Sequence, residues 1–139
     1  MKIVGRTTGG VVVPSCEQSN ANVTSWTPIT SLPIALQLMA MVTLLGKAYV
    51  IGGYEDPTSV RMYDGVSIWT SKAAMSPGRY GHAALALDDD RALVCGGYSP
   101  YPTAVNTCVI YTASTNTWTT APAMAQTRYA VNLVMSEGM

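Results

Sequence analysis

The sequence predicts an all-β chain assembled from repeating units of four short antiparallel strands, and three observations carry that prediction. Glycine pairs stand at 9/10, 52/53 and 96/97, spaced 43 and 44 residues apart. The tryptophans keep the same phase: Trp26, Trp69 and Trp118 follow the second glycine of their pair by 16, 16 and 21 residues. Two stretches, LQLMAMVTLLGKAYVIGG and HAALALDDDRALVCGG, place apolar runs of strand length on either side of a turn, which is the pattern of a hairpin. A period of roughly 20 to 50 residues marks an architecture whose units bury their apolar faces against one another.

The elements follow in order along a single domain, 1–139. The first unit, 1–35, opens within a second strand at KIVGRTTGG and holds Gly9, Gly10 and Trp26, with no tyrosine ahead of the tryptophan. In the second, 36–78, the strands of LQLMAMVTLLGKAYVIGG turn at Gly46 and Lys47, VRMYD supplies a third strand and Trp69 begins a fourth. The run 34–45 is also rich in the Leu, Met, Ala and Gln that helices favour; its sister segments decide for strand. The third unit, 79–127, repeats the plan: its first two strands turn at Asp88, Asp89 and Asp90, TCVIY is the third, and Trp118 begins the fourth. The last segment, 128–139, opens RYAVNLVM and reads as another first strand. Arg79 and Arg128 stand ten residues beyond their tryptophans, each followed by a tyrosine, Tyr80 and Tyr129, while Leu36 holds that place ahead of the second unit. Tyr63 and Tyr111 precede their tryptophans by 6 and 7 residues.

Gly-Gly, Tyr, Trp and then Arg at the opening of the next unit resembles the kelch repeat, at the period of a four-stranded propeller blade. The resemblance covers essentially the whole chain, with the first repeat degenerate. It implies about three kelch-type β-propeller blades of four antiparallel strands, either part of a longer propeller or half of a six-bladed ring closed by a second copy. The homodimer is the favoured form, since the strands sum to whole blades if the C-terminal segment completes the first. In this family Tyr63, Trp69, Tyr111 and Trp118 belong to the core. The glycine pairs mark the crowded inner ends of the blades, where close approach and φ > 0 are required. The family's arginine is mostly structural, so Arg79 and Arg128 are expected to hold the framework, with lining a binding face as the other role.

Composition narrows the function. Charged residues are 12% and hydrophobic ones 48%, and eight Lys and Arg balance eight Asp and Glu, so no net field favours nucleic acid or an anionic membrane surface. The run LPIALQLMAMVTLLG stops short of the roughly 20 residues of a membrane-crossing helix. Cys16, Cys95 and Cys108 fit neither a paired disulfide framework nor a zinc pattern. Cys95 and Cys108 read as small buried hydrophobes, which points to a reducing compartment. With no apolar stretch of signal-peptide length at the N-terminus, the expected location is cytoplasmic.

No catalytic residue, metal site or cofactor is assigned. His82 is the only histidine, too few for a histidine-built copper or zinc site, and its place in the first strand of a blade suits a packed, hydrogen-bonded ring. Asp88, Asp89 and Asp90 lack calcium-loop spacing and read as a solvated turn. No phosphate-binding glycine motif occurs. What remains is the loop surface: YEDPTSVR at 54–61 and YSPYPTAVN at 98–106 follow glycine pairs and combine tyrosines, prolines and charges. Tyr54, Glu55, Asp56, Arg61, Tyr98 and Tyr101 are the binding candidates, because Tyr and Arg are enriched at interface hot spots; packing of Tyr54 and Tyr98 against a neighbouring blade is the other reading. The function expected is a non-catalytic kelch-repeat module binding a protein partner through its blade loops. No BTB-like domain stands on this chain, so a ubiquitin-ligase adaptor role does not carry over. The alternatives are a metal-free sugar-processing enzyme of the kelch-like propeller type, or a fragment of a larger propeller protein.

Overall fold

The computed structural model describes residues 2–6, 10–129 and 132–134, and there the alternating apolar pattern resolves into eleven strands with no helix. They form three antiparallel sheets in chain order. The first is β1 (Lys2–Arg6), β2 (Val12–Ser19) and β3 (Trp26–Ile29); the second is β4 (Ala40–Leu44), β5 (Lys47–Ile51), β6 (Val60–Tyr63) and β7 (Trp69–Ser71). The third is β8 (Ala83–Ala86), β9 (Arg91–Cys95), β10 (Cys108–Thr112) and β11 (Thr117–Ala121). Within each sheet every strand pairs with its sequence neighbour. The first sheet enters at what is the second strand of its sisters, as the sequence predicts. The segment read as a closing first strand, 128–139, falls largely outside the described residues, and its described parts, 128–129 and 132–134, form no strand.

Local chemistry sets the turns. Leu45 and Gly46 both take positive φ, 49° and 72°, the two-residue turn whose twist matches a hairpin. The stretch 34–45 is therefore strand from Ala40 onward and irregular before it, with no helical turn. Asp64 Oδ1 accepts from the amides of Val66, Ser67 and Ile68 at 2.7, 2.8 and 3.0 Å, and Asp88 Oδ1 accepts from those of Asp90 and Arg91. Both carboxylates stand in for strand partners, the reason Asp recurs in turns.

The core lies between the sheets. Leu44, Tyr49, Ile51 and Val60 of the second sheet meet Ala92, Val94 and Tyr111 of the third, with Met75 from the linker between them. On the other face of the second sheet, Val50 packs with Cys16, Leu32 and Leu36. Strand β5 thus buries alternate residues on opposite faces, as a central strand must. Tyr63 and Tyr111 are fully buried, where the resemblance places them.

The tryptophans depart from that expectation. Trp69 and Trp118 are half-buried and Trp26 is exposed. Each of the two inner indoles covers a tyrosine, Tyr63 or Tyr111, at a centroid distance of 5.1 Å. From the outermost strand the ring edge reaches back to the preceding linker: Trp69 Nε1 donates to Thr30 O at 2.8 Å, and Trp118 Nε1 to Ala73 O at 2.9 Å. A polar N–H at the ring edge keeps the indole at the sheet margin, and there it ties blade to blade.

The cysteines need a second correction. Cys95 and Cys108 are buried as expected, but as a disulfide with an S–S distance of 2.02 Å. The ladder sets the two residues directly opposite each other on β9 and β10, which brings their side chains together. Among the described residues Cys16 is the free thiol. The reducing-compartment expectation rested on three unpaired cysteines, and this pair removes that ground.

Candidate functional site

The second strand of each four-stranded sheet ends in its glycine pair, and there the chain crowds. Gly97 has φ +88°, and a Cβ on it would lie 2.6 Å from Tyr80 O; a Cβ on Gly52, at φ +64°, would lie 2.5 Å from Arg79 O. The amides use this proximity. Gly53 N donates to Arg79 O and Gly97 N to Arg128 O, at 3.2 and 2.6 Å, so each glycine pair grips the opening of the following unit.

Arg79 is fully buried beneath this rim. Its Nη1 donates to Gly96 O and Thr107 O at 3.1 and 2.9 Å, and Nη2 to Thr107 Oγ1 at 3.1 Å. Burial lowers its pKa, yet the guanidinium holds the 96–107 loop by its carbonyls, a framework role. The Arg128 side chain is exposed, and its backbone provides the corresponding link. Leu36 replaces the arginine in the second unit and packs beneath Gly53 as core. His82 is buried, and its Nε2–H donates to Ile51 O at 3.0 Å. Burial, and then the neighbouring Arg79 charge, lower its pKa to about 4, so the ring is neutral and structural.

Above this framework the candidate residues separate into two groups. Glu55 accepts from Gln37 N at 2.8 Å, and Asp56 pairs with Arg61 at 2.9 Å while its carbonyl accepts from the Ser59 amide and hydroxyl. These three hold the 54–61 loop in shape. Tyr54, Tyr98 and Tyr101 instead join a continuous aromatic run. Tyr54 meets Tyr80 edge-on at 5.2 Å, Tyr80 lies 5.5 Å from Tyr98, and Tyr98 meets Tyr101 at 5.3 Å and stacks on Tyr129 at 4.9 Å. Tyr54, Tyr101 and Tyr129 are 55%, 68% and 60% exposed, while Tyr80 is buried. Packing and exposure therefore hold together for Tyr54: one edge on Tyr80, the rest in water.

Beside the run lies a concave pocket of about 300 Å³ lined by Pro57, Pro77, Gly78, Tyr80, Tyr98, Ser99 and Pro100. A pair of backbone bonds fixes its two rings: Tyr98 N donates to Tyr80 O at 2.9 Å and Tyr80 N to Tyr98 O at 3.2 Å. Desolvation, with the nearby phenols, raises the pKa of both tyrosines, so they remain protonated. In the sequence Tyr80 and Tyr129 stand out only as repeat positions, and the prolines only as part of the loops, so none of them is among the binding candidates. The signal was available: a tyrosine directly after the unit-opening arginine must lie at the glycine-pair end of the blade.

Comparison with known proteins bears on this end of the molecule. Residues 78–125 match the kelch motif, a span that contains most of the pocket wall. Over 124 residues the chain is 27% identical to an F-box/kelch-repeat protein of Arabidopsis thaliana, covering 81% of this chain and 35% of that relative's length.

Proposed function

We propose that this chain, which matches the kelch motif over residues 78–125 and resembles an F-box/kelch-repeat protein, is a non-catalytic module that binds a protein partner where Tyr54, Tyr80, Tyr98, Tyr101 and Tyr129 meet. The observation that carries this reading is the aromatic run itself: five tyrosines in ring contact across two blades, three of them more than half exposed. Tyrosine offers large amphipathic contact area at low conformational cost, and rigid backing lowers the cost of binding further. The polar groups nearby are engaged in holding loops: Glu55 on a backbone amide, Asp56 on Arg61, Arg79 on carbonyls, His82 buried and neutral. That supports a binding surface over a sugar-processing centre. In the test, wild type and Tyr54→Ala/Tyr101→Ala are compared for capture of proteins on an array. Loss of about tenfold in affinity, about 1.4 kcal/mol, is expected, with folding unchanged; equal capture, or turnover on a glycan panel, contradicts the reading.

We further propose that two copies close into a ring. In the second sheet the cross-strand row Val42–Tyr49–Met62 is covered by the third sheet, and Tyr49 is 2% exposed. The matching row of the third sheet, Leu85–Leu93–Ile110, faces away from that core and is only half-buried. It is apolar throughout, the surface that a further blade covers in a propeller.

A further inference from the structure

We propose that the pocket walled by Tyr80, Tyr98 and the prolines receives an uncharged, proline-containing stretch of a partner polypeptide in the extended polyproline II conformation. This rests on the protein-binding reading above and names the chemistry of its ligand.

Charge complementarity comes first. No charged side chain lines the pocket. The charged residues next in sequence to the lining are committed elsewhere: Asp56 to Arg61, and Arg79, buried, to Gly96 and Thr107. A carboxylate or ammonium entering here would lose water and find no counter-charge, a cost that excludes charged ligand groups. The pocket selects for a neutral occupant.

Hydrogen-bonding capacity comes second. Ser99 Oγ donates to Gly78 O at 2.6 Å, Pro57 O accepts from Arg79 N at 2.9 Å, and the amides and carbonyls of Tyr80 and Tyr98 pair with one another. Three of the seven lining residues are prolines, which bring no N–H at all. The walls thus offer ring faces and little polar capacity. A sugar, whose hydroxyls must all be re-bonded on burial, fits this poorly. A prolyl residue, with no donor to satisfy, fits it well.

Shape comes third. The Tyr80 and Tyr98 rings touch, tilted 40° with centroids 5.5 Å apart, so together they form one bent aromatic wall against which a prolyl ring can lie. The pocket volume of about 300 Å³ is at the lower end of ligand sites, enough for a short stretch of chain and too small for a folded surface. Beyond Tyr98 the exposed rings of Tyr101 and Tyr129 continue the aromatic surface for flanking residues. Polyproline II chains repeat every three residues with little entropy left to lose, and aromatic-lined grooves are their usual receptors.

The test is a titration of the isotope-labelled full chain, followed by amide resonances, with three probes: a blocked hexaproline peptide, a blocked hexaglutamate peptide and cellohexaose. Hexaproline is expected to shift Gly78, Tyr80, Tyr98 and Ser99 saturably, and the other two to leave them in place. Pro100→Glu puts a charge at an exposed rim position and is expected to weaken hexaproline about tenfold, while Tyr98→Phe, which keeps the ring, holds affinity within about twofold. Shifts confined to other residues, stronger binding of hexaglutamate or cellohexaose at these four, or indifference to Pro100→Glu would overturn the inference. If hexaproline fails while Tyr54→Ala/Tyr101→Ala still weakens capture, this inference falls and the protein-binding reading stands; if capture is also indifferent, both fall.

Discussion

At the scale of single residues, position in the repeat proved more informative than residue type. Arg79, a charged residue in a chain with few charges, is among the largest fully buried side chains of the described residues, and its framework role was legible because it opens a unit of the repeat. Burial depth was less legible for the tryptophans: their phase marks the outermost strand, but their half-exposure follows from the indole N–H seeking the Thr30 and Ala73 carbonyls of the preceding linker. Trp118→Ala is accordingly expected to cost about 2–3 kcal/mol in urea unfolding, below the range for a fully buried ring; a loss under about 1 kcal/mol would show that the indole ties nothing. His82 makes a pH prediction. Its pKa falls from 6.5 in the unfolded chain to about 4 in the fold, so below pH 6.5 the unfolded state binds the extra proton. Its contribution to stability is whole above pH 6.5, declines as the pH falls, and is gone below pH 4, a change on the order of 3 kcal/mol. His82→Gln should flatten the stability profile in that window; an unchanged profile would place the titration elsewhere.

At the scale of elements, the two four-stranded sheets and the entry of the first sheet at a second strand were readable from the 43- and 44-residue spacing and the alternation of apolar runs. The glycine pairs explain themselves once neighbours are visible. Gly97→Ala forces a side chain to φ +88° with its Cβ 2.6 Å from Tyr80 O, and a loss of about 2–4 kcal/mol is expected; a neutral outcome would mean the rim is not closed as described. The disulfide was not legible. An odd cysteine count argued against pairing, and a separation of 13 residues does not reveal that strand register sets Cys95 opposite Cys108. Alkylation of denatured, unreduced protein is expected to label Cys16 alone, and all three cysteines after reduction; three labels at the first step would contradict the pair. The candidate site was half legible for a related reason. Sequence marks the loops after the glycine pairs, and so finds Tyr54, Tyr98 and Tyr101. It does not show that Glu55 is engaged by the Gln37 amide and Asp56 by Arg61, or that the unit-opening Tyr80 joins rings from both loops.

At the scale of the whole molecule, three sheets packed side by side form an arc whose third sheet presents Leu85, Leu93 and Ile110 half-buried, while the tyrosine rim lies at the glycine-pair ends of the second and third sheets. If two copies close the arc, light scattering at micromolar concentration gives twice the chain mass, and Leu93→Glu halves it; a stable monomeric wild type contradicts closure. The arc and the rim are separable, since the rim residues lie at the ends of the sheets and the Leu93 row lies on a face. The central claim is that the rim binds a protein, and hydrogen exchange on the chain with and without a captured partner tests it most directly. Protection is expected at 54–61, 78–80 and 98–106, with the first sheet unaltered. Protection confined to the first sheet, or none in the two loops that follow the glycine pairs, would contradict the account.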